Sequence, residues 1–210
     1  MGTVLYITAN PLDYQESHSL AVGKAFIEAY CEANPADEVI HLDLYKENIP
    51  PFDADVLRGW KKLRSGSPFD QLSDAEKAKV ERLEEVVDQY VAADKYVYVS
   101  PMWNFSIPPV LKAYTDATSI PGKTFKYTHE GPVGLLSGKK ALHIQASGSV
   151  YSEGPLAWLE MGYSYMTKVL HFYGIESIEA IFVEGTALSD HALSVKEKAI
   201  AQAKEAAKQF

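Results

Sequence analysis

Apolar residues run almost unbroken through positions 3–9 and stop at Asn10-Pro11-Leu12-Asp13, as in a strand buried on both faces and ended by turn chemistry. Over 17–33 the period changes. Val22, Ala25, Phe26 and Ala29 recur on one helical face, and Ser17 or Ser19 stands where an N-cap belongs. Positions 38–44 alternate and predict a second strand. Between 45 and 70, proline, glycine and charge break any period, which predicts a long loop with one helical piece around 55–63. Ser73-Asp74-Ala75-Glu76 then has the form of a capping box, and Val80, Leu83, Val87 and Tyr90 repeat behind it as one helix face.

The second half continues the alternation. Residues 96–100 read as an apolar strand ended by Pro101, 108–118 as a helix, and 122–137 as a hairpin or extended excursion. Strands are predicted over 140–145 and 178–183, helices over 155–173 and 189–210. No internal repeat interrupts this order. Five mainly apolar strands alternating with helices imply a parallel sheet covered on both faces, because each right-handed crossover deposits a helix on it. Such sheets bind ligands beyond the carboxyl ends of their strands. The segments that fall there are 10–19, 101–105 and 146–151.

Composition narrows the picture. With 210 residues and 47% hydrophobic content, the chain suits one α/β domain over 1–210. Its net charge of −8 argues against broad contact with nucleic acid or an anionic membrane surface. The apolar start is too short, and lacks the basic stretch, for a leader peptide, and no run approaches a membrane span. Cys31 is the single cysteine, so neither an internal disulfide nor a thiolate metal cluster is available, and a reducing cytoplasm fits. Within its helix, Cys31 reads as a small core residue. His18, His41, His129, His143, His171 and His191 show no ligand spacing, so no metal is expected.

The chemistry-bearing residues lie in the three edge segments. The first lacks both the G-x-G-x-x-G turn and a P-loop lysine. It places Ser17, His18 and Ser19 at a helix start, where hydroxyls and amides serve either as a simple cap or as a phosphate site. The second, Met102-Trp103-Asn104-Phe105, puts aromatics beyond a buried strand, either as plugs of the core or as borders of a planar heteroaromatic ligand. The third, Ala146-Ser147-Gly148-Ser149, is made of small residues that let a ligand approach the backbone, although an ordinary turn explains it equally well. A nucleophile elbow, an H-E-x-x-H zinc motif and a paired-cysteine redox motif are all missing.

Together with ordered marks along the whole chain, these segments resemble the FMN-dependent NADH-azoreductase and NADH:quinone oxidoreductase family. The marks are Pro101 to Phe105 with Pro108, Lys112-Ala113-Tyr114-Thr115-Asp116, Gly122 to Thr128 with Gly131-Pro132, Gly138-Lys139-Lys140, Gly154-Pro155 and Val183-Glu184-Gly185. The resemblance implies a flavodoxin-like, doubly wound, five-stranded parallel sheet with helices on both faces. It implies an enzyme that passes two electrons in ping-pong fashion from NADH or NADPH, through bound FMN, to quinones or aromatic azo compounds. No side chain is then needed as a catalytic acid or base, since the flavin carries the chemistry.

By the same resemblance Asn10, Ser17, His18 and Ser19 surround the FMN phosphate, Met102, Trp103, Asn104 and Phe105 border the ring, and Ala146, Ser147, Gly148 and Ser149 meet its pyrimidine end, with backbone donors near 147–149. The family commonly has Ser-Arg-Gly-Gly at this last segment, so the arginine is missing here. Family members are homodimers with flavin sites at the interface. Phe125 and Tyr127 are similar to the part that reaches the partner's ring, and Tyr151 and Phe172 are further substrate-side positions, a core role serving Phe172 equally well. Two other readings stand beside this one: a flavodoxin-type one-electron carrier, and a phospho-acceptor domain, for which Ala9-Asn10-Pro11 lacks the clustered carboxylates.

Overall fold

The computed structural model describes residues 1–187 and 192–210. Its strands, in chain order, are β1 (Thr3–Thr8), β2 (Glu38–Asp43), β3 (Lys95–Pro101), β4 (Phe125–Thr128), β5 (Gly131–Gly134), β6 (Lys140–Ala146) and β7 (Ser177–Val183). The helices are α1 (His18–Ala33), α2 (Ala54–Arg64), α3 (Asp74–Ala92), α4 (Pro109–Thr118), α5 (Gly162–Phe172) and α6 (Ala192–Ala207). The start of the helix predicted over 189–210, and His191, fall outside the described residues.

Alternation within the strands explains the layers. On β1, Val4 and Tyr6 face one side of the sheet while Leu5 and Ile7 face the other, and on β3 Val97 and Val99 oppose Tyr96 and Tyr98 in the same way. The first face is covered by α1 and α6 through Phe26, Tyr30, Ala199, Ala203 and Phe210. The second packs on α2 to α5 through Val56, Leu83, Leu111 and Met166. Both faces are therefore dry, which is why the central strands read as continuous apolar runs.

The main sheet has the order β2-β1-β3-β6-β7, and every neighbouring pair is parallel. The chain winds outward on one side of β1 and on the other side of it from β3 onward. That reversal opens a crevice at the carboxyl ends of β1 and β3. The capping box is present, with Ser73 Oγ accepting from Glu76 N at 3.3 Å and Glu76 Oε2 accepting from Ser73 N at 2.8 Å. It ends the long loop and launches α3, whose Val80, Leu83, Val87 and Tyr90 are all buried.

The excursion at 122–137 is a hairpin, β4 against β5 antiparallel, outside the main sheet. It is anchored where Gly134 lies on the backbone of Tyr173 and Gly174, so closely that any Cβ at 134 would collide with it. Leu136 N donates to Tyr173 O at 2.8 Å beside that contact.

Two expectations are corrected. Cys31 is exposed: the stripe of α1 that meets the sheet runs through Val22, Gly23, Phe26 and Tyr30, and position 31 turns away from it. The helix expected over 155–173 is broken into a 3-10 segment, Gly154–Leu159, and α5. Glu160 makes the break, accepting from Tyr163 N at 2.7 Å and Ser164 N at 3.0 Å and so satisfying the first amides of a new helix. Gln145 Nε2 donates to the same carboxylate at 2.9 Å, and a Cβ at Gly162 would collide with the Gln145 amide oxygen. Periodicity alone carries no trace of that interlock.

Candidate functional site

Segments 10–19, 101–103 and 146–148 meet in one cleft of about 270 Å³ at the crevice beside β1 and β3, while Asn104, Phe105 and Ser149 lie next to it without lining it. Asn10, Ser17, His18, Ser19, Met102, Trp103, Ala146, Ser147 and Gly148 all line it. A hollow of about 630 Å³ lies on the other side of the 10–14 segment, against β2. Its lysines are engaged within the chain, Lys46 with Asp43 at 2.7 Å and Lys24 over the Tyr14 ring at 3.8 Å. The smaller cleft is the candidate site, because among the described residues donors without an acceptor line it at His18, Ser19 and Gly148.

The helix start provides the first of these. Ser17 is the N-cap of α1, its Oγ accepting from Leu20 N at 3.2 Å. The same Oγ accepts from Asn10 Nδ2 at 2.8 Å and lies 3.1 Å from Ser19 Oγ, so three buried polar side chains form one chain into the cleft. The cap and the phosphate readings thus describe one residue, since the serine that fixes the helix start also lines the cleft. Among the described residues the amides of His18 and Ser19 have no acceptor, as expected of the first turn of a helix. No acidic residue occupies that turn. His18 Nδ1 is buried without a partner among the described residues. Burial first, and the charge of Lys196 second, hold the imidazole below its usual range, so it is neutral at pH 7.

The second wall is a strained turn. Trp103 N donates to Ser106 O at 2.9 Å and Ser106 N to Trp103 O at 3.1 Å, with Asn104 at φ 48° and Phe105 at φ 70° between them. This is a two-residue hairpin whose central residues are both left-handed. Asparagine tolerates that region, whereas phenylalanine there stores on the order of 1–3 kcal/mol, a cost typical of ligand-holding loops. The turn is held by Met102 N to Ala146 O at 2.7 Å and Met161 N to Phe105 O at 3.0 Å. Trp103 and Phe105 are exposed at the rim, so they do not plug the core. The amides of Asn104 and Phe105 have no acceptor among the described residues.

The third wall corrects one detail of the expected donor set. Ser147 N donates to Val183 O at 3.0 Å, so that amide is taken. Ser147 O accepts from Thr186 N and Thr186 Oγ1, Gly148 O from Ala187 N at 3.1 Å, and Ser149 O from Ser147 Oγ at 2.8 Å. Among the described residues the amides left without an acceptor on this loop are those of Gly148, Ser149 and Val150. Thr186, which also lines the cleft, was missed from the sequence. Its signal was the neighbouring Val183-Glu184-Gly185 mark.

Among the four substrate-side positions, the structure brings only Tyr151 beside these walls, its ring 6.0 Å from that of Phe105 and edge-on to it. Phe125 and Tyr127 of the hairpin form a separate aromatic group with Phe172 at the end of α5: Phe125 is buried, 4.3 Å from Phe172 and 5.4 Å from Tyr127. Tyr127 is 72% exposed.

These residues fit a flavin mononucleotide. Buried hydroxyls and free amides at a helix start suit a phosphate, three free amides on a loop of small residues suit a polar, electron-accepting ring edge, and exposed aromatics border a flat ring. Among the described residues no helix is long and apolar enough to cross a membrane.

Comparison with known proteins agrees with the geometry. A model of the flavodoxin-like fold matches residues 2–210. The chain is 61% identical to FMN-dependent NADH:quinone oxidoreductase 2 of Bacillus subtilis (strain 168) and 60% identical to FMN-dependent NADH:quinone oxidoreductase of Geobacillus kaustophilus (strain HTA426), covering all of both chains in each case. Among solved structures, an FMN-dependent NADH-azoreductase of Bacillus anthracis in complex with FMN superposes with a TM-score of 0.94 at 36% identity, over 100% of this chain and 99% of that one.

Proposed function

Since the chain belongs to the flavodoxin-like family of FMN-dependent NADH:quinone oxidoreductases, we propose that it works as one domain over 1–210 whose cleft beside β1 and β3 is the FMN site. The chain is an FMN-dependent oxidoreductase that uses NADH to reduce quinones and aromatic azo compounds. The observation that carries the site is the set of donors with no acceptor among the described residues on three loops of one sheet edge: two amides at the α1 start, two on the strained turn and three after β6.

FMN, when bound, supplies the redox chemistry, taking electrons as hydride from the nicotinamide and passing them to the acceptor. The chain does the rest. Ser17, Ser19 and the amides of His18 and Ser19 hold the phosphate at the positive end of α1, with Asn10 fixing the Ser17 hydroxyl. The strained turn at Asn104 and Phe105 presents its amides and its aromatic rim to one edge of the ring. The amides of Gly148, Ser149 and Val150 stabilise negative charge at the other, without the arginine often found there. Ser147 closes that loop on itself through its bond to Ser149 O. Protons for the product come from water, so no titratable side chain is required at the ring.

Nicotinamide and acceptor use one cleft in turn. Tyr151 borders that cleft, while the aromatic group of Phe125, Tyr127 and Phe172 serves the acceptor of a neighbouring subunit in a homodimer. What supports this is the exposure of Tyr127 beside a buried Phe125. A buried composite site does not suit a one-electron carrier, which must show its flavin edge to protein partners. The lone cysteine and acidic balance fit a cytoplasmic enzyme.

A visible absorption spectrum of the purified protein, showing flavin released as FMN, tests the cofactor. Steady-state kinetics with NADH and a benzoquinone test the shared cleft and are expected to give parallel double-reciprocal lines. Intersecting lines, with a demonstrated complex of both substrates, contradict it.

A further inference from the structure

Glu184 follows β7 directly and is half-buried. Its carboxylate forms no ion pair among the described residues, and its partners are on one short segment instead. Oε1 accepts from Tyr151 N and from Ser152 N, both at 2.8 Å, and Oε2 accepts from Ser152 Oγ at 2.5 Å. An ionised carboxylate offers about four acceptor positions, so most of this one is spent on two adjacent residues 32 to 33 positions away in the chain.

The loop after β6 is thereby held at both ends. At its start, Ser147 and Gly148 are tied to Val183, Thr186 and Ala187. At its end, Tyr151 and Ser152 are tied to Glu184. Between the two anchors lie the amides of Gly148, Ser149 and Val150, which have no acceptor among the described residues. The end anchor also sets the backbone of Tyr151, whose ring rests edge-on against Phe105 of the strained turn. One side chain therefore connects the two loops that face each other across the cleft.

We propose that Glu184 is a positioning residue of the flavin site: by gripping Tyr151 N, Ser152 N and Ser152 Oγ it aims the Gly148, Ser149 and Val150 amides at the pyrimidine edge of the flavin and seats Tyr151 against Phe105. This rests on the reading of the cleft as the FMN site. Glu184 does not itself line the cleft. It acts through the loop, and in a chain without an arginine at this segment the amides are the donors that have to be aimed. A charged acceptor holding two backbone donors makes strong bonds, and removing it frees both amides at once.

The test uses the full chain with Glu184→Ala and Glu184→Gln. In the apoprotein, hydrogen exchange of the Tyr151 and Ser152 amides is expected to speed up at least tenfold in Glu184→Ala while exchange in β1 and β3 stays put. FMN titration should show a rise in dissociation constant of about tenfold, the equivalent of one charge-assisted bond. The midpoint potential of bound FMN should fall, because reduced flavin loses well-aimed donors. Glu184→Gln keeps one acceptor oxygen and should lie between wild type and Glu184→Ala in all three measurements, and it stands in for the alanine variant should that one fail to fold. Unchanged exchange shows that the carboxylate does not hold the loop and overturns the proposal. So does faster exchange with unchanged FMN affinity and potential. A wild-type chain that takes up no FMN, by contrast, defeats the reading of the cleft itself.

Discussion

The cleft and the hairpin are both built from aromatic and small residues, yet they are finished to different degrees. In the cleft the backbone is accounted for bond by bond. Ser147, Gly148, Ser149, Met102 and Phe105 all make backbone bonds, and the amides left over among the described residues belong to the cleft lining at His18, Ser19 and Gly148 and to the loops beside it at Asn104, Phe105, Ser149 and Val150. On the hairpin the inward side is equally settled, with Phe125 buried on Phe172 and Gly134 pressed on Tyr173 and Gly174. Its outward side is not: Tyr127 and Val133 stand exposed on neighbouring strands. In the cleft one chain by itself brings together the donors proposed to hold FMN, whereas the hairpin shows exposed apolar surface. Cofactor affinity should therefore depend on the cleft alone, and acceptor kinetics on both.

The strongest way to break this division is at the phosphate end. Replacing Ser17 and Ser19 by alanine removes two hydrogen bonds to a charged group, roughly 3 kcal/mol or more and so a hundredfold or greater rise in the FMN dissociation constant. Ser17 is also a cap, so the double variant should lose about 1 kcal/mol of stability, and Ser19→Ala alone should lose affinity without that loss. Flavin titration beside thermal melts separates the two. Unchanged affinity with a lower melting temperature would reduce the motif to a cap.

Acid should act next, from beneath the cleft. His143 lies on β6, fully buried, with Nε2 2.9 Å from Ser100 Oγ and Nδ1 unpartnered, and burial pulls its pKa down to about 3. The unfolded chain takes up a proton near pH 6.5 that the folded chain refuses. Stability is complete above that pH and declines as pH falls toward 3, by about 2 kcal/mol at pH 5 from this group alone. His143→Gln is expected to flatten the acid limb of a stability profile measured by denaturant between pH 7 and 4. An unaltered limb assigns the acid sensitivity to other groups.

The strained turn offers a smaller effect with a distinctive sign. Phe105 is exposed and left-handed, so Phe105→Gly should stabilise the apoprotein by about 1 kcal/mol while weakening the flavin site it borders. A lower melting temperature of the apo variant would show that Phe105 is held by packing.

The smallest effect on stability, and the one that sharpens the comparison most, belongs to the hairpin. Tyr127→Ala removes an exposed side chain, so stability should move by less than about 0.5 kcal/mol. FMN affinity should hold within a factor of two, while the KM for a quinone changes severalfold. Sedimentation is expected to show a dimer. A fully active monomer at assay concentration would detach the hairpin from function and return the carrier reading to consideration.

The alternation of apolar runs and helical faces determined the architecture of this protein from its sequence, because each strand's two dry faces and each helix's single stripe are local properties of composition. The capping box at Ser73 and Glu76 and the cap at Ser17 are legible for the same reason, since their partners lie within three residues. The three edge segments were legible too, from strand order and the resemblance together. The outward turn of Cys31 follows from the helical stripe itself, whereas the sequence carried no sign that Glu160 would divide a helix to meet Gln145, that Val183 would claim the Ser147 amide, or that Glu184 would grip a loop more than thirty residues away. Those outcomes are closures between segments far apart in the chain. Only the tertiary structure decides which buried polar groups meet and which are left unclaimed for a ligand, because every such group must find a partner once water is excluded and the available partner is set by where the sheet brings the segments together.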